Sequence, residues 1–426
     1  MRDHQPYFYY EIIEEYCGAK SLRIAVLSVH GCPLARGGRK DAGGMNVYVL
    51  ETSKRFTERG AQVDVFVRRH DAEDPLIVTI GQQARVVHLP VGSPSDDKQD
   101  LFVHIPAFVH AVEEFRRFEA ATYDLVVSHY WLSGLAGLDL SAEWDVPHVT
   151  SFHTLAEVKI RARPGEREAP ERVTSERRIA REVDRIVAWS QNEQRSLNTL
   201  YGAQTSKVAV IPPGVDTSRF IPMDSLESRQ KLGLGLGRNI LYVGRLDKLK
   251  GLDILLRAVA GLEDMPDVRL MVVGGTVGDQ ETSDLRTLAR ELGIDTRVDF
   301  LGSVDQTLLP RYYAASDVCV LPSHYESFGL AALEAAACEK PVVASNVGGL
   351  PSIVLSGETG YLISWQCPGP FATCLELLLE NHYLRRSLGR AGREHATTLT
   401  WDASVDALML LYESLISDRL PSLTVA

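Results

Sequence analysis

Two glutamates eight residues apart, Glu326 and Glu334, stand in the stretch Ser-His-Tyr-Glu-Ser-Phe-Gly-Leu-Ala-Ala-Leu-Glu at 323–334. An apolar run over 318–321 precedes them and reads as a buried strand, which Pro322 ends. Ser-Phe-Gly makes a tight turn, and the small apolar residues over 330–338 suit a helix packed closely on a sheet. Glu326 is therefore expected in a loop at the carboxyl end of a strand, where open α/β sheets bind ligands. Glu334 falls about two turns into the helix, on a face not far from Glu326. Carboxylates at such a corner can hold sugar hydroxyls. Free N–H groups at the helix start, around Phe328, Gly329 and Leu330, suit a phosphate. At this spacing most chains carry no more than a solvated Glu and a helix-surface Glu, so the pair acquires meaning from its context.

Other residues share that kind of position. Arg245 and Lys250 lie in Gly-Arg-Leu-Asp-Lys-Leu-Lys-Gly, directly after the apolar run that opens at Ile240. Two cations there suit a diphosphate, which gains negative charge as it leaves. Elsewhere the same two would be a solvated surface pair. A Gly-rich loop at 30–46, with Gly43 and Gly44 at its end, can bring backbone N–H groups to an anion at the start of the next helix. It is neither a Walker A loop nor a GxGxxG turn. His153 and Tyr130 each end a predicted strand, although a lone His is more often structural. No Asp-x-Asp pair or His/Cys cluster points to a metal, and no cofactor is expected.

These positions need a scaffold of alternating strands and helices. Strands are predicted at 22–29, 63–68, 85–89, 125–128, 148–152, 185–188 and 208–213, with helices at 47–59, 100–118, 131–143, 172–182 and 191–200. Residues 214–224 read as a linker. The alternation restarts with strands at 240–244, 270–274, 298–300, 318–321 and 342–344. From about 368 the chain is helical, ending in an amphipathic helix over 401–417. The pattern predicts an α/β protein of two doubly wound parallel sheets, each covered on both faces.

The 426 residues are enough for two such units, and 45% hydrophobic with 24% charged residues is ordinary globular composition. A formal charge of −11 argues against a dedicated nucleic-acid binder. The six cysteines, Cys17, Cys32, Cys319, Cys338, Cys367 and Cys374, show no CxxC spacing, and several lie in apolar segments. Together with a polar, aromatic start to the chain, this predicts a cytoplasmic protein without disulfides. No apolar run reaches the roughly 18 residues a membrane helix needs.

The stretch around Glu326 is followed, in order, by Pro341-Val-Val-Ala-Ser, Val347-Gly-Gly-Leu-Pro-Ser-Ile-Val and Gly357-Glu-Thr-Gly-Tyr-Leu. These blocks together resemble the signature of the family 4 retaining glycosyltransferases. The resemblance spans most of 22–420. It implies the GT-B architecture, two Rossmann-like domains facing a central cleft. An acceptor domain would cover 1–213, joined by the final helix at 401–420, and a nucleotide-sugar domain 214–400. It assigns the donor diphosphate to Arg245 and Lys250, ribose hydroxyls to Glu334 and sugar hydroxyls to Glu326, and it puts His153 on the cleft floor facing the sugar. Asp41-x-Gly43-Gly44-Met45-Asn46 before Val-Tyr-Val resembles the branch that joins a UDP-sugar to inositol phosphate in mycothiol synthesis; sucrose-phosphate synthases generally carry Gln where Met45 stands. By that resemblance His30, Asp41 and Asn46 belong to the acceptor loop. The same resemblance implies that Lys98, Tyr130, Thr154 and Arg178, or Arg177 beside it, hold the acceptor's phosphate. The implied activity is metal-independent transfer of a glucosyl or N-acetylglucosaminyl unit from a UDP-sugar to a phosphorylated small acceptor. Inositol phosphate is the best match and fructose 6-phosphate the alternative, with a homodimer as the family's usual assembly. An epimerase or phosphorylase on the same fold, or an inactive sugar-binding module, are the competing readings.

Overall fold

The computed structural model describes residues 21–35, 43–275, 278–364 and 366–419, apart from the side chain of Gln99. The short lead-in before residue 21, the Gly37–Gly38 part of the first loop, and Asp41 lie outside the described residues.

Long apolar runs without alternation form strands buried on both faces, and buried strands of that kind pair in parallel. The first sheet holds β1 (Arg23–Leu27), β2 (Gln62–Arg68), β3 (Ile77–Thr79), β4 (Ala84–Leu89), β5 (Leu125–His129), β6 (His148–Ser151), β7 (Arg185–Ala188) and β8 (Val208–Val210). Their order across the sheet is β3-β4-β2-β1-β5-β6-β7-β8, and only β3 runs antiparallel. The second sheet holds β9 (Asn239–Val243), β10 (Arg269–Val273), β11 (Val298–Gly302), β12 (Val318–Leu321), β13 (Val342–Ser345) and β14 (Gly360–Ile363). Its order is β11-β10-β9-β12-β13-β14, parallel throughout. In each sheet the chain moves outward in one direction and then returns to the middle to continue in the other. The crevice at that reversal is where a doubly wound sheet takes its ligand. The reversals lie between β1 and β5 and between β9 and β12, so the loops after these four strands carry the candidate site.

Two strands escaped the sequence pattern. β3 is a three-residue edge strand with exposed ends, and β14 opens on a glycine; neither is long or apolar enough to stand out. The helix expected over 100–118 divides into a 3-10 segment, Lys98–His104, and an α-helix, Ile105–Phe118, with Pro106 in the first α turn.

The segment at 214–224 is not a free linker. Val215 N–H donates to Leu399 O at 2.9 Å, and the Cβ that any residue but glycine would bring at Gly214 would lie 2.0 Å from Trp401 N. The last helix, Trp401–Arg419, packs on the helix Gly44–Glu58 of the first sheet's layer. Phe56 and Tyr412 rings meet at 5.6 Å, and Arg59 reaches Asp406 at 2.6 Å. Among the described residues no helix is long and apolar enough to cross a membrane, and the five described cysteines are free.

Candidate functional site

On the first sheet's side, β1 runs into a loop that folds on itself. Ser28 Oγ donates to Gly31 O at 2.6 Å, and Asn46 Nδ2 donates to Cys32 O at 2.7 Å. Asn46 is thus spent, at least in part, on holding the loop. Gly43 caps the following helix, and Gly44 touches the other half of the protein: a Cβ there would lie 3.3 Å from Leu330 Cδ1.

His30 is buried with its ring 4.2 Å from that of Tyr130. Burial, helped by the charge of Lys98, holds it well below the usual histidine range. Tyr130 follows β5 in the left-handed region, at φ +76°, and gathers cations. Lys98 Nζ lies 4.0 Å from its ring centroid and the Arg172 guanidinium 4.6 Å. Arg172 is fully buried. It donates to Thr154 O and Oγ1, both at 2.8 Å, to Glu168 at 2.8 Å and to Glu176 at 2.7 Å. Because Thr154 Oγ1 accepts from Arg172, its own hydrogen is left to donate to a ligand.

Arg178 is not brought to this cluster. It is exposed and pairs with Glu182 at 3.0 Å on the same helix, while Arg177 turns to Glu157. Six residues separate Arg172 from Arg178, which turns the second about 120° around the helix from the first. The signal that could have found Arg172 is its spacing to Glu176 and Ile179, four and seven residues on, which marks the buried face of the helix Pro170–Glu182.

His153 lies after β6 with φ +60°. Its Nε2 is 2.9 Å from His129 Nδ1, and Trp189 stands edge-on at 4.6 Å. His129, at the end of β5, was passed over because it reads as one more strand residue.

On the second sheet's side, Lys250 Nζ and Glu326 Oε2 form an ion pair at 2.7 Å, with both side chains largely buried. Gly251 makes this approach possible. It sits at φ +65°, and a Cβ there would lie 2.1 Å from Pro322 O, at the start of the Glu326 loop. Arg245 points outward, 55% exposed, with Asp247 at 3.1 Å. Phe328 is buried against Trp189, with ring centroids 6.5 Å apart, and Gly329 at φ +107° caps the helix Leu330–Ala337. Glu334 has a partner of its own: its Oε2 accepts from Tyr313 OH at 2.8 Å, and burial lifts its pKa to about 7. It lines a small cavity with Glu51, Arg219, Gln306 and Leu330. The site therefore has three parts: a cation and hydroxyl cluster around Tyr130, a Lys–Glu pair with Arg245 nearby, and a half-buried carboxyl group beside the 214–224 segment.

Residues 42–219 match the family described as Glycosyltransferase Family 4, and residues 224–395 match Glycosyl transferases group 1. A D-inositol 3-phosphate glycosyltransferase of Nocardiopsis dassonvillei is 39% identical over 93% of this chain and 95% of its own length. That of Geodermatophilus obscurus is 42% identical over 92% and 89%. This chain belongs to glycosyltransferase family 4. The family 4 assignment makes it a retaining glycosyltransferase, and its two sheets are those of the GT-B fold. Among solved structures, sucrose-phosphate synthase from Thermosynechococcus elongatus superposes with a TM-score of 0.87, at 32% identity over 93% of this chain and all of that one.

Proposed function

We propose that this family 4 enzyme transfers a hexosyl unit, N-acetylglucosaminyl or glucosyl, from a UDP-sugar to inositol phosphate. The observation that carries this reading is the meeting of Lys98, Arg172, Tyr130 and Thr154 at the crevice of the first sheet. Two cations and two hydroxyls in a protein of net charge −11 suit a phosphate monoester, bound by charge-assisted hydrogen bonds. Relatives matched over nearly their whole length bear the name D-inositol 3-phosphate glycosyltransferase. Residues 1–213 with the last helix act as the acceptor domain and 214–400 as the donor domain. The enzyme works in the cytoplasm.

In this reading Glu334 receives the ribose hydroxyls, and Arg245 and Lys250 the diphosphate. Glu326, tethered by Lys250, grips the sugar hydroxyls rather than attacking the anomeric carbon. The bond from that carbon to the diphosphate oxygen breaks through an oxocarbenium-like transition state. The acceptor oxygen bonds the same face, and its proton passes to the departing diphosphate, whose growing charge the two cations stabilise. His153 borders the sugar as a neutral hydrogen-bonding group.

The likeness to a sucrose-phosphate synthase supports a second reading, transfer of glucose to fructose 6-phosphate. Release of UDP, measured with UDP-N-acetylglucosamine or UDP-glucose against inositol 1-phosphate (L enantiomer), fructose 6-phosphate and their unphosphorylated forms, separates the two. Turnover with inositol phosphate that vanishes without the phosphate is expected. Turnover only with unphosphorylated acceptors would refute the phosphate pocket.

A further inference from the structure

The loop that carries Glu326 is held on both flanks by a single three-residue segment across the cleft, His153 to Leu155. Leu155 N–H donates to Tyr325 OH at 3.2 Å, just before Glu326. Ser327 Oγ donates to His153 O, just after it. The two hydroxyls are 3.3 Å apart. Between the two hydroxyls Ser327 Oγ is the donor and Tyr325 OH the acceptor, so the single Ser327 hydrogen is shared between the His153 carbonyl and Tyr325. Leu155 N–H, Tyr325 OH, Ser327 Oγ and the His153 carbonyl thus form one continuous hydrogen-bonded cluster, in which Tyr325 OH accepts from both Leu155 and Ser327.

The residue in the middle of that segment faces the other way. Thr154 O and Oγ1 both accept from Arg172, in the cluster assigned to the acceptor phosphate. The same backbone turn therefore joins the phosphate pocket on one side and the Glu326 loop on the other. A further bond crosses nearby, from Asn192 Nδ2 to Gly348 O at 2.6 Å, and Gly349 N–H donates to Glu326 O at 3.2 Å. Gly348, at φ +55°, is packed so closely that a Cβ would lie 1.5 Å from Glu326 O. With its backbone restrained from Tyr325, Ser327 and Gly349, the Glu326 loop follows the 153–155 turn.

We propose that Tyr325 and Ser327 are positioning residues that couple the acceptor-phosphate pocket to Glu326. Seating of a phosphorylated acceptor against Thr154 and Arg172 fixes the 153–155 turn. The hydroxyl chain passes that order to the loop holding the donor sugar. The enzyme then commits its UDP-sugar to transfer when acceptor is present and protects it from water when acceptor is absent. This inference rests on the function proposed above.

The test uses the full-length chain with Tyr325→Phe and Ser327→Ala, which remove one hydroxyl each. Transfer to inositol phosphate, hydrolysis of UDP-N-acetylglucosamine without acceptor, and UDP affinity are measured side by side. Small displacements of reacting groups are costly, so kcat for transfer is expected to fall roughly tenfold or more in each variant. The transfer-to-hydrolysis ratio should fall with it, while UDP affinity stays within about twofold, because the proposed diphosphate and ribose contacts are untouched. A purely structural role would lower thermal stability and UDP affinity together and leave the ratio unchanged. Wild-type kcat and ratio in both variants would overturn the proposal. Hydrogen exchange at the Leu155 amide with UDP bound gives a readout independent of the acceptor. Faster exchange in Tyr325→Phe is expected, and unchanged exchange overturns the coupling even if the wild-type enzyme proves to use another acceptor. Failure of the wild type with every phosphorylated acceptor would count against the proposed function instead.

Discussion

His129 Nδ1 lies 2.9 Å from His153 Nε2, and the two rings are 3% and 5% exposed. Burial is the main cause holding both below the ordinary histidine pKa, His129 at about 3. Both are therefore neutral at physiological pH, and one must donate to the other's lone pair. The contact thus couples the tautomers of the two rings: where His129 Nδ1 donates, His153 carries its hydrogen on Nδ1, and where His153 Nε2 donates, its Nδ1 is left as an acceptor. His153 Nδ1 is buried without a hydrogen-bond partner among the described residues; under the proposed function it is the atom that would meet a substrate hydroxyl.

Neutral buried histidines make stability depend on pH. The unfolded chain takes up protons below about pH 6.5 that the folded chain does not, so stability is complete above that value and is lost as pH falls below it. His30 and His148, also buried and shifted down, add to the effect. From pH 7.5 to 5 this fall is opposed by buried Glu193 and Glu334, whose pKa burial lifts to about 7, so the histidine share is read by comparison: the urea midpoint of His129→Phe should lose less than that of the wild type as pH falls. The same substitution should lower kcat about tenfold through the loss of His153 orientation, with UDP affinity retained. A slope identical to wild type would show that His129 is not held neutral by the fold.

Arg172 and Arg178 offer a direct contrast. Arg178→Ala removes an exposed ion pair and should leave transfer within about twofold, since such pairs contribute little. Arg172→Ala strands the fully buried Glu176 without its counter-charge, while Glu168 keeps Lys159, and should cost about 3–5 kcal/mol of stability. Arg172→Lys keeps the charge but not the planar fork, so KM for a phosphorylated acceptor should rise roughly tenfold. Steady-state kinetics with varied acceptor would decide; a larger effect from Arg178→Ala would reverse the assignment.

Glu334 titrates near pH 7 because burial favours its neutral form. Under the proposed function ribose hydroxyls would donate to the ionised carboxylate, so donor binding should weaken as pH falls below about 7, by up to about tenfold per unit. Calorimetry with a UDP-sugar is the clean measurement, since its diphosphate has no proton to take in this range. Glu334→Gln should bind more weakly at pH 8 and lose the pH dependence. Equal affinity at pH 6 and 8 for the unaltered enzyme would separate Glu334 from the ribose.

What could be read from the chain alone was whatever is local. A strand that ends in a proline or glycine and passes into a helix shows itself within a dozen residues, so the corners carrying Arg245, Lys250, Glu326 and Tyr130 were visible. The two sheets follow from the same alternation. Arg172 was hidden because its burial depends on the phase of one helix against the sheet, and a neighbouring arginine pair drew attention first. His129 carries no mark until β5 and β6 lie side by side. Tyr325, Ser327 and Asn192 find their partners 170, 174 and 156 residues away, across two separate sheets. β3 and β14 were missed because their pairing comes from neighbouring strands rather than from their own composition.

The helix Trp401–Arg419 has one more consequence, for synthesis. It covers the face of Gly44–Glu58 where Phe56 sits, so a ribosome must read through the entire second sheet before that face is closed. Until then the nascent first layer presents an unfinished apolar surface, of the sort chaperones recognise. A chain cut at the 214–224 segment would inherit the same gap. Supplying residues 368–419 as a separate fragment should restore solubility to the front half, in the manner of a split reporter.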